Sequence, residues 1–255
     1  MKTLNSALWA VFKFFRLNEI YRRFVKDLLP SSLNNKIAKI TLKNSFVPHV
    51  IEREIKPKYS DALQHLLRTD NEIGDYLEFG VSNGTSLKCM DRVLKKLDLN
   101  SVRMFGFDSF EGMPPSAVIE DEGTWRPGQF ASSLKTTKQF LTVHGINWQR
   151  TFLIKGWFNA TLRKETIKEF DIKKAGIIMV DCNIYSSSKL ALNFCIPLIG
   201  RQTVIFFDDW REDEEFGECR AFTEFLLENP QFMSEVLGRY RPTGKIFLVT
   251  NTTVF

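Results

Sequence analysis

The chain has 255 residues, of which 44% are hydrophobic and 25% charged, which is enough apolar material for one large α/β domain. Its formal net charge is +5, but residues 1–30 carry six basic and two acidic side chains, so the remainder is nearly neutral. This distribution argues against a nucleic-acid-binding face on the main body, because phosphate binding needs a clustered excess of Lys and Arg.

The cysteines and the apolar runs indicate the compartment. None of the four cysteines has paired or CxxC spacing, and Cys89, Cys182 and Cys195 lie in apolar segments, which is typical of free thiols in a reducing environment. We therefore predict a cytoplasmic protein. No apolar run approaches the roughly 18 residues that an integral membrane span needs, and the N-terminus is a poor signal peptide.

Residues 1–58 are predicted to form an N-terminal helical extension. Apolar residues recur at helical spacing from Leu17 to Leu28, with charged residues between them, and Pro30 ends the pattern. We expect this amphipathic helix to cover its own domain or to form a homodimer contact. Its basic residues and the aromatic residues before it leave a membrane-surface helix as the alternative. A helix over 59–68 then leads into the main domain, residues 59–255.

The segment 76–86, Tyr-Leu-Glu-Phe-Gly-Val-Ser-Asn-Gly-Thr-Ser, ends an apolar strand with an acid and a glycine turn and opens onto a helix. Gly80 permits a tight turn and Gly84 a close approach of the backbone to a ligand. The glycine spacing differs from the GxGxxG of dinucleotide-binding folds. It resembles motif I of the class I S-adenosylmethionine-dependent methyltransferases, although an ordinary glycine-rich turn is the alternative.

A second apolar strand, 104–108, ends in Asp108, 30 residues after Glu78. A carboxylate at the tip of this strand is placed to hydrogen-bond a ribose diol. Its alternative role is that of a turn former before Ser109. The loop 109–129 that follows is rich in Gly, Pro, Asp and Glu, and its length predicts a functional role at the carboxyl edge of the sheet.

Strands and helices alternate from residue 75 onward, which is typical of a parallel sheet with crossover helices. The two final strands are joined by a turn too short for a crossover, so they are predicted to pair antiparallel. The expected fold is α/β, a single doubly wound seven-stranded mixed sheet of five parallel strands plus a C-terminal antiparallel hairpin. The strands are predicted near 75–80, 103–108, 151–155, 176–182, 202–208, 231–239 and 245–250, and the intervening helices near 84–97, 130–143, 159–170, 186–198 and 217–228.

Carboxylates end the fourth and fifth predicted strands. Asp181 follows the apolar run 176–180, and Asp208 and Asp209 follow the apolar run 204–207. If these strands are neighbours, three carboxylates converge, and their repulsion raises at least one pKa unless a cation neutralises them. Oxygen-only ligands suit Mg²⁺. The alternative is that Asp208 and Asp209 cap the next segment and that Asp181 is a lone strand-end acid.

Four segments, 106–114, 155–162, 181–188 and 207–210, resemble in this order the signature blocks of the macrocin O-methyltransferase family. The resemblance implies a class I methyltransferase, Rossmann-like fold and a Mg²⁺-dependent transfer of methyl from S-adenosylmethionine to a hydroxyl, typically of a sugar or glycoside. It implies Asp181 as the catalytic base and Asp181, Asp208 and Asp209 as the metal ligands. The positions that match its cofactor pocket are Glu78, Phe79, Gly80, Val81, Gly84, Thr85, Ser86, Asp108, Ser109, Gly156, Trp157 and Asp181.

Departures from the family pattern bear on the acceptor. Asn183 stands where the family usually has a second Asp, Arg163 where it often has Pro, Arg201 where it has Gly, and Trp210 where Tyr is common. Three other functions are alternatives: a Rossmann oxidoreductase, a methyltransferase with a nucleic-acid or N-methyl acceptor, and a non-catalytic protein that kept the fold. The glycine spacing opposes the first, the absence of an Asn/Asp-Pro-Pro motif opposes the second, and Asn183 favours the third.

Overall fold

The computed structural model describes residues 52–69, 72–212 and 215–254. The predicted amphipathic helix and most of the N-terminal extension lie outside these residues. Within them are seven α-helices: α1 Glu52–Thr69, α2 Thr85–Lys96, α3 Leu134–Val143, α4 Phe158–Thr161, α5 Lys164–Glu169, α6 Tyr185–Cys195 and α7 Gly217–Glu228. None of the described helices is long and apolar enough to cross a membrane.

Seven strands form one sheet in the order β3-β2-β1-β4-β5-β7-β6. The five strands β1 to β5 pair in parallel, and β7 pairs antiparallel with both β5 and β6. The predicted doubly wound mixed sheet with a C-terminal hairpin is confirmed. The strands are β1 Asp75–Phe79, β2 Met104–Asp108, β3 Thr151–Lys155, β4 Ala175–Val180, β5 Ile199–Phe207, β6 Phe232–Arg241 and β7 Gly244–Asn251.

The central strands of the sheet are buried on both faces because helices cover each side, whereas most residues of the edge strand β6 are exposed. Every residue of β1 and β4 is buried, which explains their continuous apolar sequences. Alternate strand residues pack with α1 and α2 on one face, as Tyr76 and Phe206 do. Their neighbours pack with α6 and α7 on the other face, as Phe79 and Phe207 do. The period of two residues therefore fixes which strand residues face which helix layer.

Helix α1 begins at Glu52, seven residues before the predicted start at Tyr59. Pro57 lies inside this helix, although proline disfavours the interior of a helix. Tertiary contacts outweigh that local signal: Ile55 is fully buried, and Glu52 pairs with Lys88 and Arg92 of α2.

Two further helices differ from their predicted extents. The predicted helix over 159–170 is two short helices, α4 and α5, which are separated at Leu162 and Arg163. The helix predicted from residue 130 begins at Leu134, where the Ser133 side chain accepts a hydrogen bond from the Thr136 N–H at 3.2 Å.

Main-chain hydrogen bonds continue beyond the strand ends and align the loops that follow. The Asp181 N–H donates to the Phe79 carbonyl at 2.9 Å, and the Asp208 N–H donates to the Val180 carbonyl at 3.0 Å. Asp181 and Asp208 therefore lie at the same level of the sheet, on neighbouring strands. The strand order reverses between β1 and β4, and such a switch point is where open α/β sheets bind ligands.

Candidate active site

A cavity of about 570 Å³ lies at the carboxyl edge of the sheet, around this switch point. Its walls come from the loops that follow β1, β3, β4 and β5 and from the long loop that follows β2. Residues predicted to bind the cofactor and residues predicted to bind the metal both line this cavity. The predicted site residues that line the cavity are Gly80, Asp108, Ser109, Trp157, Asp181, Asp208 and Asp209.

The other predicted cofactor residues are not part of the cavity lining, although they belong to the elements that support it. Glu78 and Phe79 are buried at the end of β1, and Gly84, Thr85 and Ser86 lie at the start of α2. The remaining two are Val81 and Gly156. Their part in cofactor binding stays a prediction.

Gly80 is required by the packing of the two strand ends. Its φ is +92°, and a Cβ atom on it would lie 1.8 Å from the Asp181 carbonyl oxygen. Any side chain at Gly80 therefore displaces the backbone of Asp181. A substitution there alters the carboxylate site together with the glycine turn.

Asp108 holds the loop that follows β1. Its Oδ2 accepts hydrogen bonds from the N–H groups of Val81 and Ser82, both at 2.8 Å, and its Oδ1 accepts one from the Phe110 N–H at 2.5 Å. Burial raises the pKa of the Asp108 carboxyl, while these three donors oppose that rise. Three of about four acceptor positions on the carboxylate are thus occupied by the protein itself.

Glu78 belongs to a buried chain of hydroxyl groups beneath the same loop. The Tyr76 hydroxyl donates to its Oε2 at 2.6 Å, the Ser86 hydroxyl donates to its Oε1 at 2.5 Å, and the Tyr59 hydroxyl lies 3.0 Å from that of Tyr76. Burial raises the pKa of Glu78 to about 8, despite these hydrogen bonds. The folded protein therefore favours the protonated form of Glu78 near neutral pH.

Three carboxylates meet at the ends of β4 and β5. Asp181, Asp208 and Asp209 each offer an oxygen, and these three oxygens lie within 4.8 Å of one another. Burial, then the charges of Asp208 and Asp209, raise the pKa of Asp181 well above its ordinary value. Burial and Asp209 raise the pKa of Asp208 to about 7. This cluster is the arrangement expected from the sequence if β4 and β5 were neighbours.

Asp208 is held from the β6–β7 hairpin. The Tyr240 hydroxyl donates to its Oδ1, and the Arg241 guanidinium pairs with its Oδ2. The same Nη2 atom of Arg241 donates to the Asp208 carbonyl at 2.8 Å and lies 3.5 Å from Oδ1 of Asp209. The Arg241 guanidinium thus contacts two of the three carboxylates.

Asp209 is held from the neighbouring loop and from α7. The side-chain amide of Asn183 donates to Oδ2 of Asp209. The Asp209 N–H donates to Oε2 of Glu218 at 2.9 Å. Glu218 is fully buried, and burial with the charges of Asp209 and Asp208 raises its pKa well above its ordinary value. A fourth carboxyl therefore adjoins the cluster.

Tyr240, Arg241 and Glu218 were not predicted from the sequence. A signal existed for Glu218, because it lies four residues before Phe222 and seven before Phe225, on the buried face of α7. A carboxyl on an apolar stripe usually has a partner. No local pattern marks Tyr240 or Arg241, which reach Asp208 across about 33 residues of sequence because β7 lies beside β5.

The donor set suits a hard divalent cation. It consists of oxygen atoms, and the carboxyl groups of Asp181, Asp208, Asp209 and Glu218 outnumber the positive charge of Arg241. The Asp181 carboxylate forms no hydrogen bond or ion pair with the described part of the chain. A half-buried carboxylate beside two others is costly in that condition unless it is protonated or faces a cation.

The long loop after β2 lies over the cavity and is fastened at two places. Main-chain hydrogen bonds of 2.9 Å join Met113 to Gln129 and Gly128 to Met113. The Glu120 carboxylate accepts from the N–H and the hydroxyl of Ser186 at 3.0 and 2.8 Å, in the first turn of α6. Trp125 of this loop and Ser186 both line the cavity. The loop therefore forms one wall of the space beside the carboxylates.

A model of the macrocin O-methyltransferase (TylF) family matches residues 52–235 of the chain. The matched range runs from the start of α1 into β6 and includes Asp181, Asp208 and Asp209.

A sequence relative agrees with this match, and two solved structures share the fold. The chain is 27% identical over 217 residues to the 8-demethyl-8-(2,3-dimethoxy-alpha-L-rhamnosyl)-tetracenomycin-C 4'-O-methyltransferase of Streptomyces olivaceus, covering 82% of this chain and 76% of that protein. Its fold is similar to the O-methyltransferase NovP, with a TM-score of 0.62, 18% identity and coverage of 76% and 78%. It is also similar to the calicheamicin methyltransferase CalS11, with a TM-score of 0.61, 17% identity and coverage of 91% and 89%.

We expect the Glu78→Gln variant to lose less stability than the wild-type protein as the pH rises. Because the pKa of Glu78 rises from an ordinary 4.5 to about 8 in the folded protein, the folded state keeps a proton that the unfolded chain releases. The free energy of unfolding then falls between those two pH values, by at most about 1.4 kcal/mol per pH unit from this group. Glutamine carries no titratable proton, so the variant lacks this contribution.

The measurement is urea unfolding at a series of pH values. Glu169→Gln is the matched control, because Glu169 is an exposed glutamate of α5. Its curve should run parallel to the wild-type curve. A Glu78→Gln curve with the wild-type slope would show that Glu78 ionises normally in the folded protein.

Proposed function

Since the chain belongs to the macrocin O-methyltransferase (TylF) family, it is an O-methyltransferase, and we propose that it transfers methyl from S-adenosylmethionine to a sugar hydroxyl of a small natural product. We further propose that Asp181, Asp208 and Asp209 hold Mg²⁺ during this reaction. The observation that carries the proposal is the convergence of three carboxylates in the cavity that Gly80, Asp108 and Trp157 also line.

We place the cofactor on the β1 and β2 side of the cavity. The walls there combine the glycine turn at Gly80, polar groups of Asp108 and Ser109, and the aromatic rings of Trp157 and Phe158. Aromatic rings offer a large apolar contact area, and one acceptor position of Asp108 remains for a ligand hydroxyl. Such a mixture of apolar walls and few polar groups is typical of cofactor pockets.

The metal would lie among the oxygens of Asp181, Asp208 and Asp209. When bound, a divalent cation supplies Lewis acidity, which lowers the pKa of a coordinated hydroxyl, and it fixes the orientation of that group. The chain's own contribution is to keep the three carboxylates together, through Arg241 and Tyr240 on Asp208 and through Asn183 on Asp209.

Asp181 is the proposed proton acceptor. It lines the cavity, and its carboxylate has no hydrogen-bond donor within the described residues. Its raised pKa suits a group that must hold a proton after the reaction, because a general base works best when its pKa lies near the working pH. Positive charge in the cluster lowers that pKa, so that the carboxylate form is available to accept the proton of the acceptor hydroxyl.

The acceptor is proposed to lie between the carboxylates and the long loop. Trp125 gives this side of the cavity an aromatic surface, and Ser116, Ser186 and Ser187 give it hydroxyl groups. These groups suit a ligand with both C–H faces and hydroxyls, as a sugar has. The name of the Streptomyces olivaceus relative describes a rhamnosyl 4'-O-methyltransferase, which supports a sugar acceptor here.

Three further expectations are kept as proposals. One is the division of the chain at residues 58 and 59, a point that lies within the continuous helix α1, and a homodimer contact through the N-terminal helix is the second. The third is a cytoplasmic location, which is supported by four buried free cysteines.

We expect Trp157→Ala to weaken S-adenosylmethionine binding about tenfold or more, because a large aromatic contact is lost from the cofactor wall. Trp148→Ala is the matched control, since Trp148 is likewise half-buried but packs on the core away from the cavity. Calorimetric titration with S-adenosylmethionine and its demethylated product gives both dissociation constants. Equal losses in the two variants, or tighter binding of NADH, would contradict this placement of the cofactor.

We expect Asp208→Asn and Asp209→Asn to weaken metal binding and to be partly rescued by excess Mg²⁺. Asp181→Asn should lower kcat by about 100-fold or more with little rescue, because it removes both a ligand charge and the proton acceptor. Cofactor binding should survive all three changes.

Turnover is measured as release of the demethylated cofactor with rhamnosylated glycosides as acceptors. Metal binding is measured with Mn²⁺ by electron paramagnetic resonance. Asp171→Asn, at an exposed acid, serves as the control. Full activity in excess EDTA would remove the metal from the proposal, and cofactor binding without turnover on any glycoside would favour a non-catalytic protein.

A further inference from the structure

We propose that Arg241 is a built-in counter-ion of the carboxylate cluster, which keeps the cluster together when no metal is bound and weakens the binding of a divalent cation. This inference rests on the proposed metal site at Asp181, Asp208 and Asp209. It concerns how tightly that site holds its metal, which the family match does not determine.

The position of the guanidinium carries the inference. Its Nη2 atom contacts Oδ2 and the carbonyl oxygen of Asp208, the latter at 2.8 Å, and lies 3.5 Å from Oδ1 of Asp209. Among the described residues that line the cavity, Arg241 is the one basic side chain. It therefore occupies the space between two carboxylates that are also candidate metal ligands.

The charges explain why such a group is needed. Four carboxyls lie close together, of which Asp208 and Glu218 are buried and Asp181 and Asp209 are half-buried. Such a concentration of negative charge without compensation is unfavourable. Arg241 supplies one positive charge on a rigid, bidentate group, which suits it to bridge neighbouring carboxylates. The Arg241 guanidinium thus stabilises the metal-free protein.

The same charge opposes a metal ion. A divalent cation held by Asp208 and Asp209 would lie within a few ångström of the guanidinium, and like charges at that distance repel in a site of low polarity. Arg241 also contacts one carboxylate oxygen of Asp208 and one of Asp209, the residues proposed to hold the metal. Removing the charge of Arg241 should therefore have two effects: it should lower the stability of the metal-free protein, and it should tighten metal binding.

The hairpin makes this arrangement possible. Arg241 ends β6, just before the turn to β7, and β7 lies directly beside β5. The Arg241 side chain is 18% exposed, so it faces the cavity while it remains anchored on Asp208. Tyr240 donates to the other oxygen of Asp208, so that both oxygens of this carboxylate are held from the hairpin.

The test compares Arg241→Gln, Arg241→Lys and Arg239→Gln with the wild-type chain after removal of metals. Arg239→Gln is the matched control, because Arg239 lies two residues earlier on the same strand and pairs with the exposed Glu212 instead. Mn²⁺ dissociation constants are measured by electron paramagnetic resonance, and thermal unfolding is followed with and without excess Mg²⁺.

We expect Arg241→Gln to bind Mn²⁺ about tenfold more tightly than wild type. The metal-free variant should unfold several degrees lower, and Mg²⁺ should raise its unfolding temperature more than that of wild type. Arg241→Lys keeps the charge, so its Mn²⁺ affinity should stay close to wild type, and Arg239→Gln should change neither quantity.

Unchanged or weaker Mn²⁺ binding in Arg241→Gln would overturn the inference, because Arg241 would then be only a structural support. If neither wild type nor any variant binds Mn²⁺, the proposed metal site itself fails, which is a different outcome.

A measurement on wild type covers the case in which Arg241→Gln does not fold. In arginine-labelled wild-type protein, the Arg241 guanidinium resonance is identified as the one that is absent from the spectrum of Arg241→Lys. This resonance should shift when Mg²⁺ is added, since the metal competes for the same carboxylates. The absence of a shift at saturating Mg²⁺ would overturn the inference equally.

Discussion

The parallel pairing of β4 with β5 places several buried acids at one edge of the sheet, and the rest of the site depends on how their charge is balanced. Asp181 and Asp208 lie at the same level because the sheet hydrogen bonds continue past the ends of both strands. Without positive charge, these groups can remain buried only by keeping protons, which is why the pKa values of Asp181 and Asp208 are raised. Arg241 supplies part of the balance.

The side of the cavity on which the cofactor is proposed to bind is held together by different contacts. There, Asp108 ties down the loop after β1 through main-chain N–H groups, and Glu78 lies below it as a buried acid that keeps its proton near neutral pH. Gly80 connects the two sides, because its missing side chain makes room for the backbone of Asp181. The glycine turn thus serves the carboxylate cluster as much as the loop it begins.

Two further polar side chains, Asn183 and Glu120, order the carboxylate side of the cavity and the long loop beside it. Asn183, a departure from the usual acid, donates a hydrogen bond to Asp209, so it orients one carboxylate instead of adding another. Glu120 fastens the long loop to the first turn of α6, next to the serines that line the cavity. Both residues therefore act on the side of the cavity where the acceptor is proposed to bind.

The sequence by itself determined the alternation of strands and helices, the strand-end acids Asp108, Asp181, Asp208 and Asp209, and the family, because these signals are local and repeat at fixed spacing. It also predicted that β4 and β5 are neighbours, which the strand order confirms. Only the tertiary structure revealed that α1 begins at Glu52 and that Tyr240, Arg241 and Glu218 hold the acids. The physical reason is that these contacts join segments far apart in the chain, and no local pattern encodes which distant side chain a folded sheet brings to a given carboxylate.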